Sequence, residues 1–145
     1  MLMRTKKLAA FVGWDKKKMG DDIATGHCGF VPPAEGRRLW DLNDAAAAQF
    51  YMDGVNAGQS VRIAGIAATR LRDAMKAHPD ADQLTTVTLE NGNTFTLPTK
   101  TLDLASGYNS DSYIRTALTI DARNLRARIE RAIATDAEVI GGRDG

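Results

Sequence analysis

Residues 36–44, GRRLWDLND, follow a proline pair in GFVPPAE at positions 29–35. Pro32 and Pro33 exclude helix, because proline has no amide donor and its ring clashes with the preceding turn. Gly36 supplies a turn, so the apolar pieces Gly29–Val31 and Leu39–Leu42 on either side of it are expected to pair as a small hairpin or wing. Arg37 and Arg38 then stand at the wing tip, and Trp40 is its inward anchor against Phe11 or Phe50. Asn43 or Asp44 caps the alanine-rich run that follows, DAAAAQFYMDGVNAG, in which Phe50, Tyr51 and Val55 point inward.

Upstream, Thr5 is the expected N-cap of a short helix in which Leu8, Phe11 and Val12 form one apolar stripe, stopped by Gly13. Asp15 caps a second helix, with Met19 and Ile23 on one face and Gly26 past its end. Gly20 is its weak point, since an interior glycine costs about 1 kcal/mol against alanine. Two short helices joined by a glycine turn make a helix-turn-helix candidate.

Downstream, Ser60 caps a longer helix with Ile63, Ile66, Ala67, Leu71, Ala74 and Met75 on its inner face, closed by Pro79-Asp80. The pattern then changes. TTVTLENGNTFTL alternates around Asn91-Gly92, a strong hairpin signal, and Pro98 places the second strand at an edge. SYIRTALTI is a further strand, and Asp121 caps a last helix of five turns at most. In that helix Leu125, Ile129, Ala132, Ile133 and Ile140 form a narrow apolar seam. The expected class is α+β: a winged helix-turn-helix at 1–80, and a small module of hairpin plus helix at 81–145.

The chain has 145 residues, 43% apolar and 26% charged, the proportions of a folded domain. No run reaches the roughly 20 apolar residues of a membrane span, and MLMRTKK lacks a secretory apolar region, so a cytoplasmic protein is expected, with no membrane partner. The single cysteine, Cys28, closes no internal disulfide. A formal charge of +1 hides an asymmetry: residues 1–38 hold eight basic side chains against four acidic ones, and the remainder holds 11 against 14. One basic end suits a polyanion partner.

The order of helix, glycine turn, helix, PP-GRRLW wing, acid-capped helix and Ser-capped helix resembles the winged helix-turn-helix of the MerR-like superfamily. The matching stretches are LAAFVGWDKKK, GFVPPAEGRRLWDLND and AAAAQFYMDGVNAGQSVRIAGIAATRLRDAM, about the first half of the chain. The resemblance implies sequence-specific binding to double-stranded DNA by a bacterial or phage transcriptional regulator. Its second helix would enter a major groove and its wing arginines would reach adjacent backbone or minor groove. Gly20, Asp21 and Asp22 depart from a base-reading second helix. The same wing also resembles phage DNA-packaging small terminase subunits and excisionase-like factors, and a protein-interaction adaptor is the alternative from another class.

The expected DNA contacts are Lys16, Lys17, Lys18, Arg37, Arg38, Lys6 and Lys7. Lysines in a helix's first turn oppose the macrodipole, a local cost that a polyanion would offset. Lys16–Lys18 could equally be a solvated helix start, and exposed turn arginines taken alone are commonplace. Arg123, Arg126, Arg128 and Arg131 are spread around the last helix and are read as solvated surface. Effector-responsive members of the superfamily dimerise through a long antiparallel helix that this sequence lacks. A homodimer is therefore expected through the C-terminal module, with Leu125, Ile129 and Ile133 at its seam or else packed on the hairpin. His27-Cys28 has too few ligands for a metal and is assigned to packing. Neither a cofactor nor an enzyme is expected, because His78 stands beside a proline and nothing resembles GxSxG or a phosphate loop.

Overall fold

Short polar residues set apart the apolar runs of this chain, and the turns fall where they stand. The computed structural model describes the backbone of residues 2–34, 36–109 and 111–144, and side chains through residue 135 except at 108–109. The described residues form α-helices α1 (Thr5–Val12), α2 (Lys16–Ala24), α3 (Leu42–Asn56), α4 (Val61–Ala77) and α5 (Ala122–Asp144). The strands are β1 (Met3–Arg4), β2 (Leu39–Trp40), β3 (Gln83–Leu89), β4 (Thr94–Pro98), β5 (Tyr108–Asn109) and β6 (Ser112–Asp121). Two antiparallel sheets result, β1-β2 and β4-β3-β6-β5, and the architecture is α+β.

Side-chain caps open four of the helices. Asp15 accepts the Lys18 amide at 3.2 Å, Ser60 the Ile63 amide at 3.2 Å and Asp121 the Asn124 amide at 2.9 Å. Helix α3 is capped by Asp41, rather than by Asn43 or Asp44. The Asp44 amide donates to Asp41 Oδ1 at 2.8 Å while the Asp41 amide donates to Asp44 Oδ2 at 3.1 Å, a reciprocal capping box. Thr5 is the first residue of α1 instead of its cap, because its hydroxyl is committed elsewhere. It accepts the Trp40 indole N–H at 3.0 Å and donates to the Arg38 carbonyl at 3.3 Å.

That triangle replaces the expected hairpin. Leu39–Trp40 pairs with the N-terminal strand, Met3 opposite Trp40 and Arg4 opposite Leu39, and Gly29–Val31 forms no strand. Phe30 explains the difference. It leaves a turn closed by the Val31 amide on the Cys28 carbonyl and packs against the Trp14–Tyr51 pair, itself 5.1 Å apart, with centroids 6.1 and 5.4 Å away. Burying three such rings is worth about 1.5–3 kcal/mol each, more than one added pair of ladder hydrogen bonds.

Helix α4 buries Leu71, Ala74 and Met75 as expected, but its first turns bury a different face. Ala64, Gly65, Ala68, Leu71, Ala74 and Met75 turn inward, whereas Ile63 and Ile66 are 57% and 39% exposed. Gly65 sits so close to the His27 carbonyl oxygen that any Cβ there would strike it, so the helix must present small residues. The opposing face of α3 is equally small, with Ala45–Ala48 wholly buried.

The sheet follows the expected hairpin around Asn91-Gly92, with β4 and its Pro98 at the edge. Threonine hydroxyls link neighbouring strands: Thr86 to Thr96, and Thr85 to Thr119, each at 2.8 Å. Strand β4 packs on α4, and one buried cluster runs from Met3 through Leu84 to Ile133, across residues 79–83. Helix α5 has 23 residues, more than the five turns expected, and lies on α3 and β1. Ile129 and Ile133 are buried in the common core and Leu125 packs against it, so these side chains serve the fold of the single chain. Ile140 lies outside the described side chains. Arg126 donates from Nη1 to the Ala81 carbonyl at 2.7 Å and from Nη2 to the His78 carbonyl at 2.9 Å, tying α5 to the end of α4.

The Asp44 carboxyl of the capping box rises from 3.8 to about 6: burial is the main cause, the Asp41 amide opposes it, and the Asp41 carboxylate adds to it. Because the folded state holds this proton more tightly, its stabilisation is complete below about pH 4 and is lost as pH climbs through about 6. Asp44→Asn should flatten the fall in unfolding free energy across that window by on the order of 1–3 kcal/mol, measured by urea titration at several pH values. Gly20 has an ordinary helical φ and open space where a Cβ would stand, so Gly20→Ala should raise stability by about 0.5–1 kcal/mol in the same assay.

Candidate nucleic-acid interface

The cations anticipated from sequence fall into two regions separated by α1. At the opening of α1 the Thr5–Arg38 hydrogen bond brings the Gly36–Arg38 turn beside Lys6 and Lys7. Gly36 takes the left-handed conformation, φ 67°, that lets the chain reverse there. Arg37 is exposed; Arg38 is half-buried, and its Nε is buried without a hydrogen-bond partner. Beyond the far end of α1, Gly13 (φ 72°) turns the chain into α2, where Lys16 and Lys17 are exposed in the first turn.

Lys18 behaves differently from its neighbours. Its ammonium lies 3.6 Å from Asp22, a carboxylate 5% exposed that also accepts the Trp14 indole N–H at 3.2 Å. Part of the lysine's charge is therefore answered within the protein. Asp22 belongs to a buried polar group under the Trp14–Phe30–Tyr51 rings. Burial raises the Tyr51 phenol and the Cys28 thiol above their ordinary values, and the adjacent Asp22 charge adds to both. A neutral thiol that contacts the Asp22 carbonyl at 3.7 Å is a packing group, and the same holds for Tyr51. His27, by contrast, is exposed. Among the described residues no group of three or more His, Cys, Asp or Glu side chains could hold a metal.

Sequence reasoning left a third set of cations as plain surface. Lys7, Arg128 and Arg131 line a groove of ≈ 490 Å³ between α1 and α5, together with Phe11, Asn124, Ala132 and Thr135, and no carboxylate is among its lining residues. The Arg128 guanidinium stands 5.9 Å from the Phe11 ring centroid, a cation–π contact that holds it towards α1. Asn124, Arg128, Arg131 and Thr135 recur at intervals of four, three and four, a polar stripe along one side of α5. That spacing was legible, but only the docking of α5 beside α1 joins it to Lys7.

Arg123 and Arg126 do not join this set. Arg126 is the clamp on α4, and Arg123 faces a mixed cleft with Asp80, Asp82, Asp121 and Lys100. An arriving anion would find opposing charge there. The α1–α5 groove has three cations and an aromatic wall, which suits phosphate oxygens.

No protein-family model matches this chain, and comparison with curated proteins finds no match either.

Proposed function

We propose that the protein binds double-stranded DNA through a helix-turn-helix of α1 and α2, with the Gly36–Trp40 segment paired on β1 in place of a hairpin wing, and acts as a bacterial or phage transcriptional regulator. The observation carrying this reading is the groove of Lys7, Arg128 and Arg131, which has no carboxylate among its described lining residues. Phosphate contacts position a duplex-binding protein and need cations without competing carboxylates nearby. Helix α1 adds a measure of scale. Its eight residues span about 12 Å, close to the width of a major groove, and they separate Lys6 and the arginine turn from Lys16 and Lys17.

In this arrangement Lys6, Lys7, Arg37 and Arg38, with Arg128 and Arg131, take the backbone on one side. Lys16 and Lys17 approach from α2. Lys18, held by Asp22, contributes less. Asp21 on the exposed side of α2 disfavours a phosphate at its own position and can accept only from a base amino group, cytosine N4 foremost.

Titrating a labelled duplex by fluorescence anisotropy at several salt concentrations tests this. Affinity should fall steeply with salt. Arg37→Ala with Arg38→Ala should weaken binding to every duplex and reduce the slope of log affinity against log salt by about 1–2, as expected for one or two lost phosphate contacts. Arg128→Ala with Arg131→Ala should do the same. Affinity and slope unchanged in both double variants would remove this face from the function.

A further inference from the structure

Strand β6 has an open side. Its inner edge pairs with β3 from Ile114 to Asp121 with a bulge at Arg115, but among the described residues β5 meets its outer edge at Ser112 and Tyr113, and the Ile114 amide donates to the Gly107 carbonyl at 2.8 Å where that pairing ends. Among the described residues no strand covers the outer edge from Arg115 to Asp121. Residues 115–119 are all exposed, and Leu118, at 52%, is among the most exposed large apolar side chains. Proteins protect such edges with lysine, proline, a bulge or a covering segment; residues 115–121, RTALTID, contain neither lysine nor proline, and the bulge at Arg115 leaves residues 116–121 as a regular ladder.

We propose that this edge pairs with the same edge of a second copy, antiparallel about a two-fold axis at Leu118, to give one continuous sheet through both subunits. The charges of the strand select that register. Arg115 and Asp121 are its only ionisable residues apart from Tyr113. With Leu118 opposite the partner's Leu118, Thr116 meets the partner's Ile120 and Ala117 the partner's Thr119, and the bulged Arg115 falls at the end of the ladder beside the partner's Asp121, twice over. Sliding the copies by two residues sets Arg115 opposite Thr119 or beyond the strand. Sliding by one opposes residues from different faces of the pleat. Only the Leu118-centred register matches the lone cation with the lone carboxylate while pairing the exposed leucines.

The surroundings agree with this geometry. Leu118 stands opposite Thr86 on β3, which is satisfied by Thr96, so the leucine has a polar neighbour inside its own subunit and gains an apolar one across the axis. Asp121 uses Oδ1 to cap α5 and keeps its other oxygen for Arg115. An isologous contact of this kind closes on itself as a dimer, and it is independent of duplex binding.

Light scattering on the full chain, without DNA, should give twice the 15.7 kDa of one copy. Leu118→Lys should halve that mass, and Arg115→Asp should shift the population to monomer at the same protein concentration, with circular dichroism confirming that both variants stay folded. Leu118→Cys supplies a register-specific readout. Directly opposed antiparallel residues have Cα atoms about 4.5–5.5 Å apart, within disulfide range, so mild oxidation should link two copies covalently. Leu97→Cys, on β4 at the far edge of the sheet, should not link. Cys28 is buried and does not interfere. A wild-type chain of monomeric mass, or a dimer that survives Leu118→Lys without cross-linking through position 118, would overturn the proposal.

Discussion

Two hydrogen bonds from one guanidinium decide how the halves of this molecule meet. Arg126 reaches from α5 to the carbonyls of His78 and Ala81, which end α4 and begin the path to the sheet. The His78 carbonyl also accepts the Ala81 amide at 3.2 Å, and the guanidinium adds a charged donor to both carbonyls, which is stronger than a neutral one. The clamp fixes the angle at which α5 leaves the sheet, and that angle lays the helix along α3 and β1. Ile129 and Ile133 are buried as a result, and Arg128 and Arg131 arrive next to Lys7. The cationic groove is thus a product of tertiary structure, assembled from residues more than a hundred positions apart.

The Thr5–Trp40–Arg38 triangle does comparable work at the other end of α1. A threonine suited to cap its own helix instead accepts an indole N–H and holds a carbonyl, so the arginine turn is anchored through its backbone while its side chains stay available. Trp40 is fully buried and supplies the apolar part of that anchor. Charge is distributed around α1 in a graded way. Lys6, Lys16, Lys17 and Arg37 are exposed, Lys18 is partly neutralised by Asp22, and Arg38 is half-buried.

Local chemistry in the sequence was informative wherever the deciding partner lay within a few residues. The caps at Asp15, Ser60 and Asp121 and the Asn91-Gly92 hairpin are all set by near neighbours, the alternation of residues 112–120 marked β6, and the α+β class could be read from them. Errors arose where a distant partner decided. Apolar periodicity pointed Ile63 and Ile66 inward, but the close approach of α4 to the His27 carbonyl admits only small residues, so the alanine face won. Asp41 displaced Asn43 and Asp44 as a cap because reciprocity with Asp44 satisfies two amides at once. The pairing of Leu39–Trp40 with residues 3–4 spans 35 positions and leaves no local signature. The basic stripe of α5 was visible as spacing, yet its meaning depended on which helix lay beside it.

The alanine-on-alanine contact of α3 with α4 has a consequence for the order in which the chain acquires structure. Alanine loses no rotamer freedom on burial, and the two helices are joined by a turn of only a few residues, so this hairpin closes at small entropic cost. The β3–β6 ladder joins positions up to 38 apart, from Gln83 to Asp121, and must await a longer excursion of the backbone. A newly made chain would therefore pass through a stage with a formed helical pair and an unformed sheet. During that interval the threonine-rich strands are available to neighbouring molecules, so crowded refolding should yield aggregates seeded by the late half of the chain.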